Sequence, residues 1–364
     1  MSQTTAPGGR SFPLQRKCPF SPPPEYDRLR AEEPVSKVQL PTGDTAWLVT
    51  RYEDVRTVLS SPAFSADGTR PGFPSAIPVP PQILQRPPFI RMDPPQHSFY
   101  RRMLIPEFTV KRIKTMRSGI QATVDRLLDD LLARTPPVDL VEAFALPVPS
   151  LVICQLLGVP YDDHEFFQRR SKVVVSGASA AQSATALAGL RAYMDELISR
   201  KQQGPGDDLL SKLVTEQLEP AGELGRDELM MMCLMLLNAG HETTANMISL
   251  GTVALLEHPD QLTALREDPE LLPGTVEELL RYLSIADFLP GRVAAEDTEL
   301  SGTRIRAGEG VIALLAAADW DPGVFPGPER LDVPVTEVVD AVGGWESAEC
   351  GVGPVVVVAV QPGW

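Results

Sequence analysis

The sequence predicts a mainly α-helical fold with smaller β-sheets, of the α+β class. The first observation is a long, largely apolar stretch between Asp227 and Leu256, which has the length and spacing of a buried helix. The second is a pair of short strand-rich patches, around residues 35–50 and 304–315. A third is helical spacing in an earlier segment, at Ile120, Val124, Leu127, Leu128, Leu131 and Leu132. Strands segregated from long helices are typical of the α+β class.

The first 60 residues predict short elements in alternation. The turn Pro41-Thr42-Gly43-Asp44 is typical of a hairpin. These signals predict helices over 25–32 and 52–59 and strands over 35–40 and 45–50. Proline and glycine then crowd residues 66–95, which predicts a long loop. Such loops often act as lids or binding loops, and a plain surface connection is the alternative.

From about Pro106 onward, helices dominate the pattern. Apolar spacing, capping residues or an initial proline predict further helices over 183–199, 227–256 and 273–282. A second strand-rich patch follows, with strands at 304–305 and 311–315 around a turn that contains two glycines.

Composition restricts the class of protein. The chain has 364 residues, of which 43% are hydrophobic, enough for one large helical enzyme domain. A formal net charge of −15 argues against nucleic-acid binding and against adsorption to anionic membranes. The four scattered cysteines form no Cys-x-x-Cys pair, so we expect neither a disulfide framework nor a structural zinc site. With no signal-peptide pattern and no apolar run of membrane length, we expect a soluble, cytoplasmic protein.

The strongest local motif is Ala239-Gly240-His241-Glu242-Thr243-Thr244, inside the predicted helix 227–256. Glycine in a helix interior costs about 1 kcal/mol relative to alanine, and threonine hydroxyls bond to carbonyls of the preceding turn or to water. The motif therefore indicates a helix opened for a ligand, and a kinked structural helix is the alternative. A zinc site of the His-Glu-x-x-His type is not expected, because the second histidine is absent.

An acid and two arginines form a second candidate group. Glu278 and Arg281 lie three residues apart on one face of a predicted helix, a spacing that commonly supports helices. Arg330, in Pro328-Glu329-Arg330-Leu331, offers a second arginine that could clamp this pair.

Three further cations suit an anionic partner. His97 and Arg101 lie four residues apart after Asp93-Pro94-Pro95, which marks a helix start, so both can point the same way. Two cations on one face suit a carboxylate, and a solvated helix face is the alternative. Arg292 is an isolated cation near a predicted strand.

The motifs occur in a fixed order: Asp-Pro-Pro-x-His-x-x-x-Arg, Ala-Gly-x-Glu-Thr-Thr, Glu-x-x-Arg, Arg-x-Ala and Pro-x-Arg-Leu. In that order, and with Cys18-Pro19-Phe20, Trp47-Leu48-Val49 and Phe64-Ser65, the sequence resembles a soluble, actinobacterial-type cytochrome P450 over roughly residues 15 to 332. The resemblance implies the cytochrome P450 fold, incomplete at its C-terminal end. It implies a P450-like domain over 1–332 and a divergent tail over 333–364.

The resemblance also implies an activity and its residues. It implies a haem-thiolate monooxygenase that inserts one oxygen atom from O2 into a hydrophobic small molecule, using haem b (iron protoporphyrin IX). Residues that match the haem-propionate ligands are His97, Arg101 and Arg292. Gly240 matches the groove for oxygen, and Glu242 and Thr243 match the catalytic acid–alcohol pair that delivers protons. The structural triad is matched by Glu278, Arg281 and Arg330, and the substrate-covering regions by 66–92 and 165–205.

A redox partner is implied as well. Electrons would come from NAD(P)H through a ferredoxin-type donor that docks on a basic face. Positive charge is concentrated at Arg101, Arg102, Lys111, Arg112, Lys114 and Arg117. Electrostatic steering suits such a transient encounter, and a solvated basic helix is the alternative.

The tail departs from the family pattern. The haem loop of the family reads Phe-Gly-x-Gly-x-His-x-Cys-x-Gly, and only Gly344 and Cys350 match it here. Glu346 replaces a glycine, Ala348 replaces a cation, and no Lys, Arg, His, Leu, Ile, Phe or Met follows Asp332. Two interpretations stay open: a frameshifted or rearranged end in which Cys350 is a coincidence, or a degenerate loop in which Cys350 is the metal ligand. Asp319-Trp320-Asp321-Pro322 also departs from the usual Asn-Arg-Asp-Pro.

These departures leave two alternatives to an active monooxygenase. One is a catalytically impaired P450 remnant that binds haem weakly or not at all. The other is a cofactor-free helical interaction protein. Uptake of haem distinguishes the enzyme from both.

Overall fold

The structure is a computed structural model, and it describes residues 10–75, 87–175, 180–218, 224–287 and 290–333. Long helices with small sheets dominate these residues, which confirms the predicted class. The helices are α1 (Glu25–Glu32), α2 (Tyr52–Ser60), α3 (Gln96–Leu104), α4 (Val110–Leu132), α5 (Pro147–Leu157), α6 (His164–Val175), α7 (Ala180–Gln203), α8 (Leu209–Leu213), α9 (Arg226–Glu257), α10 (Pro259–Glu267), α11 (Leu272–Leu283) and α12 (Leu315–Asp319). The strands are β1 (Arg10–Ser11), β2 (Val35–Gln39), β3 (Thr45–Val49), β4 (Phe64–Ser65), β5 (Gly291–Ala294), β6 (Thr298–Leu300), β7 (Thr303–Ile305) and β8 (Gly310–Ala313).

The described residues divide into two compact units. The first unit comprises residues up to Pro94 together with those from Leu250 onward, and it contains strands β1 to β8. The second unit comprises Pro95–Ser249 and is helical. None of the helices in the described residues is both long enough and apolar enough to span a bilayer.

The first unit is organised around a six-stranded sheet of order β1-β2-β3-β8-β5-β4. The predicted hairpin is confirmed, because β2 and β3 pair antiparallel with Val35 opposite Val49 and Gln39 opposite Thr45. β8 runs parallel to β3 and antiparallel to β5. Alternate residues of β8 enter different apolar clusters, Val311 and Ala313 one and Ile312 the other, so the sheet carries a core on each face.

The second strand-rich patch differs in part from its prediction. β7 pairs with β6 in a separate two-stranded sheet, while β8 lies in the large sheet. Leu315, predicted as the end of a strand, is instead the first residue of α12. The reason is a capping carboxylate distant in sequence: Asp287 accepts a hydrogen bond at Oδ1 from the backbone N–H of Ala316 (3.1 Å). An acceptor of this kind satisfies a free N–H group at a helix start.

The second unit contains most of α9, which confirms the predicted long buried helix. Its residues Leu229, Cys233 and Leu236 are fully buried. Burial raises the pKa of the Cys233 thiol to about 12, so this cysteine is an inert core residue. Helices α4 and α5 pack against each other in the same unit.

Candidate active site

The centre of α9 presents one acid and one alcohol on its more open side. Within the predicted motif, Glu242 and Thr243 are half-buried, whereas Gly240, His241 and Thr244 are buried. Thr243 Oγ1 donates a hydrogen bond to the carbonyl oxygen of Ala239 at 2.6 Å, one turn earlier. The half-buried pair is the one that the sequence assigned to proton delivery.

Gly240 allows a close approach of α9 to α5. A Cβ atom built at this glycine would lie 3.3 Å from Cδ1 and 3.5 Å from Cγ1 of Ile153. The first of these distances is tighter than ordinary van der Waals contact, so a larger residue would push the two helices apart. The glycine therefore has a packing reason in addition to the oxygen groove that the family resemblance implies.

His241 points into a small cavity that Cys154, His164 and Phe167 also line. Its Nε2 makes no hydrogen bond with the described residues. Burial, together with the nearby His164, lowers the pKa of His241 to about 4, so the ring is neutral at pH 7. Within the part of the chain that the structure describes, no group of three or more His, Cys, Asp and Glu side chains could hold a metal ion.

His97 and Arg101 lie one turn apart on α3, which begins at Gln96 as the Asp-Pro-Pro signal predicts. His97 is buried and Arg101 is half-buried. The helix places both residues in the second unit. Residues four apart share a helix face, so the predicted common direction is compatible with this geometry.

Arg292 is a buried guanidinium on β5, with 7% of its surface exposed. Its Nη1 donates to the carbonyl oxygen of the adjacent Gly291 at 2.9 Å. Among the ion pairs formed by the described residues, none includes Arg292. A buried charge is costly unless it is paired, so this side chain fits an anionic group supplied by a ligand, such as a propionate of haem.

Glu278 and Arg281 form a buried, bidentate ion pair on α11. Nε and Nη2 of Arg281 each donate to a carboxylate oxygen of Glu278 at 2.7 Å. Nη1 donates to the carbonyl oxygens of Asp319 and Pro328, and Nη2 donates also to that of Arg330, each at 3.0 Å. All five N–H groups of the guanidinium are thus used. Arg330 joins the network through its backbone, while its side chain is exposed.

Comparison with known proteins identifies the family. A family model for cytochrome P450 matches residues 174–333. Cytochrome P450 105A3 of Streptomyces carbophilus is 51% identical over 325 residues, which cover 89% of this chain and 79% of the relative. The chain belongs to the cytochrome P450 family. The vitamin D3 dihydroxylase of Streptomyces griseolus is 49% identical over 89% of this P450 and 80% of its own length.

Solved structures agree with this assignment. The mycinamicin VIII C21 methyl hydroxylase of Micromonospora griseorubida superposes with a TM-score of 0.87 at 37% identity, over 97% of this P450 and 90% of that chain. A cytochrome P450 of Nonomuraea recticatena gives a TM-score of 0.85 at 46% identity, over 97% and 90% of the respective chains. The fold expected from the motifs is therefore confirmed. The family is one of haem-iron oxidoreductases and monooxygenases, which confirms the predicted cofactor class and enzyme class.

Some predictions lie outside the described residues. Cys350 is among them, as is the tail 333–364 apart from Val333. The substrate-covering segments 66–92 and 165–205 are described in part.

Sequence reasoning noted that Asp319 departs from the family's asparagine, but it missed the burial of this acid at the end of α12. The aspartate itself was the available signal, because an ionisable group had replaced a neutral one.

Proposed function

We propose that this P450 is a haem-thiolate monooxygenase that transfers one oxygen atom from O2 to a hydrophobic small molecule. The observation that carries the proposal is the buried guanidinium of Arg292, which has no acidic partner among the described residues. His97 and Arg101 would join Arg292 in binding the two haem propionates, and Cys350 would be the thiolate ligand. Haem bound through a thiolate supplies the oxidising chemistry, which the protein itself cannot perform.

Glu242 and Thr243 would move protons at the site. Thr243 directs its hydroxyl hydrogen to Ala239, so the lone pairs of Oγ1 remain able to accept a hydrogen bond from water. Glu242, which is half-buried one residue earlier, would exchange protons with solvent. Gly240 would keep α9 open at this turn.

The substrate class and the electron donor complete the proposal. Relatives named for vitamin D3 and for mycinamicin VIII support a hydrophobic small molecule as the substrate. NAD(P)H would supply electrons through a ferredoxin-type donor on the basic face of α3 and α4. Of that face, Lys111 and Lys114 are exposed, whereas Arg112 Nε is bound to Glu107 at 2.9 Å. Charge reversal at Lys111 and Lys114 therefore tests docking without breaking an internal ion pair. An unchanged rate of reduction would exclude this face.

The carbon monoxide difference spectrum of the reduced protein tests haem-thiolate binding. We expect a thiolate-type Soret band that is lost in Cys350→Ser and retained in Cys18→Ser, whose cysteine is half-exposed in the first unit. A haem spectrum without thiolate character would remove Cys350 as the ligand. Failure to take up haem would favour the impaired remnant.

Haem affinity tests Arg292 separately. We expect Arg292→Leu to weaken haem binding about 10- to 100-fold, because hydrogen bonds between charged groups contribute roughly 1.5–3 kcal/mol. The matched control is Arg304→Leu, since this arginine lies on β7 and is paired at the surface with Asp297. Equal affinities of the two variants would contradict a propionate role for Arg292.

A further inference from the structure

Arg91 is a cation inside the segment that the family resemblance assigns to covering the substrate. It is the last residue of the short 3-10 helix Phe89–Arg91 in the first unit. Its side chain is half-buried, and burial lowers the pKa of the guanidinium. Loss of hydration makes a positive charge costly unless a partner compensates for it.

The described residues provide Arg91 with an aromatic ring and with no acid. The guanidinium carbon lies 4.9 Å from the centroid of the Phe73 ring, which is a cation–π contact. Within the part of the chain that the structure describes, no ion pair includes Arg91. The nearest acid along the chain, Asp93, accepts hydrogen bonds from Ser65 Oγ and from the backbone N–H of Ala66 instead. A cation–π contact does not use the N–H donors of a guanidinium, so these donors remain able to bind an anion.

Two glycines give the pair of Arg91 and Phe73 a defined position. A Cβ atom at Gly68 would lie 3.0 Å from Cδ of Arg91, and the backbone N–H of Gly68 donates to the carbonyl oxygen of Arg91 at 3.1 Å. A Cβ atom at Gly291 of β5 would lie 3.1 Å from Cε1 and from Cζ of Phe73. Gly68 thus leaves room for the Arg91 side chain, and the Phe73 ring packs directly on a strand of the large sheet.

We propose that Arg91 binds a carboxylate of the substrate, which makes this P450 selective for hydrophobic acids. The inference rests on the proposed monooxygenase function, because it narrows the substrate class of that function. A planar guanidinium binds a carboxylate through two parallel hydrogen bonds, a geometry that other side chains do not offer. Because the site is partly dehydrated, such a pair is stronger there than at an exposed surface.

Haem propionates are the other carboxylates that the proposed function brings to the protein. Two propionates carry two negative charges, and three cations are already assigned to them, namely His97, Arg101 and Arg292. A fourth cation exceeds what two carboxylates need for neutralisation. Arg91 also lies within 66–92, the segment that the family resemblance assigns to the substrate. Both arguments favour the substrate as the source of the carboxylate.

Calorimetric titration of the full-length protein with matched acid and alcohol probes tests the proposal. The probes are decanoate with decanol, and adamantane carboxylate with adamantanol. We expect at least one acid to bind about 10-fold or more tighter than its alcohol, because charged hydrogen bonds are the strong ones. Arg91→Met, which keeps an unbranched apolar side chain, should remove that preference without weakening the binding of the alcohol. The matched control is Arg70→Met, which removes an exposed cation from the same segment and should leave the preference unchanged.

Haem titration distinguishes the two sources of carboxylate. We expect Arg91→Met to bind haem with wild-type affinity, in contrast to Arg292→Leu, and an unchanged melting temperature would show that its fold survives. Weaker haem binding by Arg91→Met at an unchanged melting temperature would overturn the proposal and make Arg91 a propionate ligand.

Two results of the calorimetry would also overturn the proposal. One is equal affinity of the wild-type protein for each acid and its alcohol, or no binding of either acid. The other is a preference for the acid that Arg91→Met retains. Calorimetry detects the preference whether or not a thiolate ligates the iron, so failure here is distinguishable from failure of the carbon monoxide test.

Discussion

Ser284 Oγ donates a hydrogen bond to Oδ2 of the buried Asp319 at 2.6 Å. The same hydroxyl lies 3.0 Å from the carbonyl oxygen of Arg281. The hydroxyl has a single hydrogen, so these two acceptors compete for it, and the bond to Asp319 favours the ionised carboxylate. Burial outweighs the hydrogen bond from Ser284 and the charge of Arg281 and, with a smaller contribution from the nearby Asp287, raises the pKa of Asp319 to about 7.

Replacing this acid by the family's asparagine should stabilise the protein in alkaline solution. A folded-state pKa of about 7, above the ordinary aspartate value of 3.8, means that the contribution of Asp319 to stability is full below about pH 4 and is lost as the pH rises to 7. Asp319→Asn keeps an oxygen that accepts from Ser284 and removes the ionisation. We expect it to raise the free energy of unfolding by about 2–4 kcal/mol at pH 8 and by much less at pH 5.

Denaturant unfolding at the two pH values measures this difference. Asp321→Asn is the matched control, because Asp321 is partly buried and accepts a hydrogen bond from the backbone N–H of Tyr52 at 3.0 Å. That variant should not gain stability at pH 8. An equal change in the free energy of unfolding for Asp319→Asn at pH 5 and at pH 8 would show that Asp319 is ionised at both pH values.

Reducing the number of hydrogen-bond donors at position 281 should destabilise the first unit. Arg281→Lys offers three donors in place of five and leaves Glu278 incompletely paired in a buried site. We expect a loss of about 3–5 kcal/mol in the free energy of unfolding, as for other broken buried pairs. The exposed pair of Arg304 with Asp297 provides the control, since solvent screens this pair and Arg304→Lys should leave the free energy of unfolding nearly unchanged. Similar losses in the two variants would contradict a special role of the buried network.

His241 should make the protein sensitive to acid. Its folded-state pKa of about 4 lies below the ordinary histidine value of 6.5, so the unfolded chain binds the proton more readily between these two pH values. Stability should therefore fall as the pH drops from about 6.5 to 4. Ring-proton NMR titration should show His241 neutral at pH 5, and His164→Gln should raise its pKa by removing a nearby positive charge. A midpoint near 6.5 would contradict the burial argument.

Glu309 should produce a separate acid transition at the edge of the large sheet. Desolvation opposes its ionisation, but hydrogen bonds from Lys37, the backbone of Arg306 and Trp47 dominate and lower the pKa of Glu309 to about 2. Its contribution to stability is present above about pH 4.5 and is lost as the pH falls to 2. Trp47 Nε1 donates to Oε2 of Glu309 at 2.8 Å, so the indole reports the protonation.

Tryptophan emission checks this transition. We expect Lys37→Met to move the change in emission to higher pH, because Lys37 Nζ lies 2.8 Å from the carboxylate. Glu309→Gln should abolish the pH dependence of Trp47. If the change in emission occurs at the same pH in Lys37→Met as in the wild type, the ion pair is excluded as its cause.

The sequence predicted best those features that depend on neighbours along the chain. The helix predicted over 227–256 is observed as Arg226–Glu257, because a long apolar run and an acidic start act locally. The start of α12 escaped prediction, since its cap comes from Asp287, which is distant in sequence. Arg330 was predicted as a side-chain clamp, and its contact with Arg281 is through a carbonyl oxygen, which any residue could provide. Its identity therefore could not reveal that contact.

The last two residues that the structure describes, Asp332 and Val333, are held by hydrogen bonds from their backbone N–H groups. The backbone N–H of Asp332 donates to Oε1 of Glu278 at 3.0 Å, and that of Val333 donates to Gln261. Gln261 lies on α10 and Glu278 lies on α11, and both helices are formed by residues that precede Asp332. A C-terminal segment grafted after Val333, such as a complete haem loop from a relative, would thus begin at a residue whose backbone is held in place. Position 333 is for this reason the natural junction at which chimeras of this P450 can be assembled.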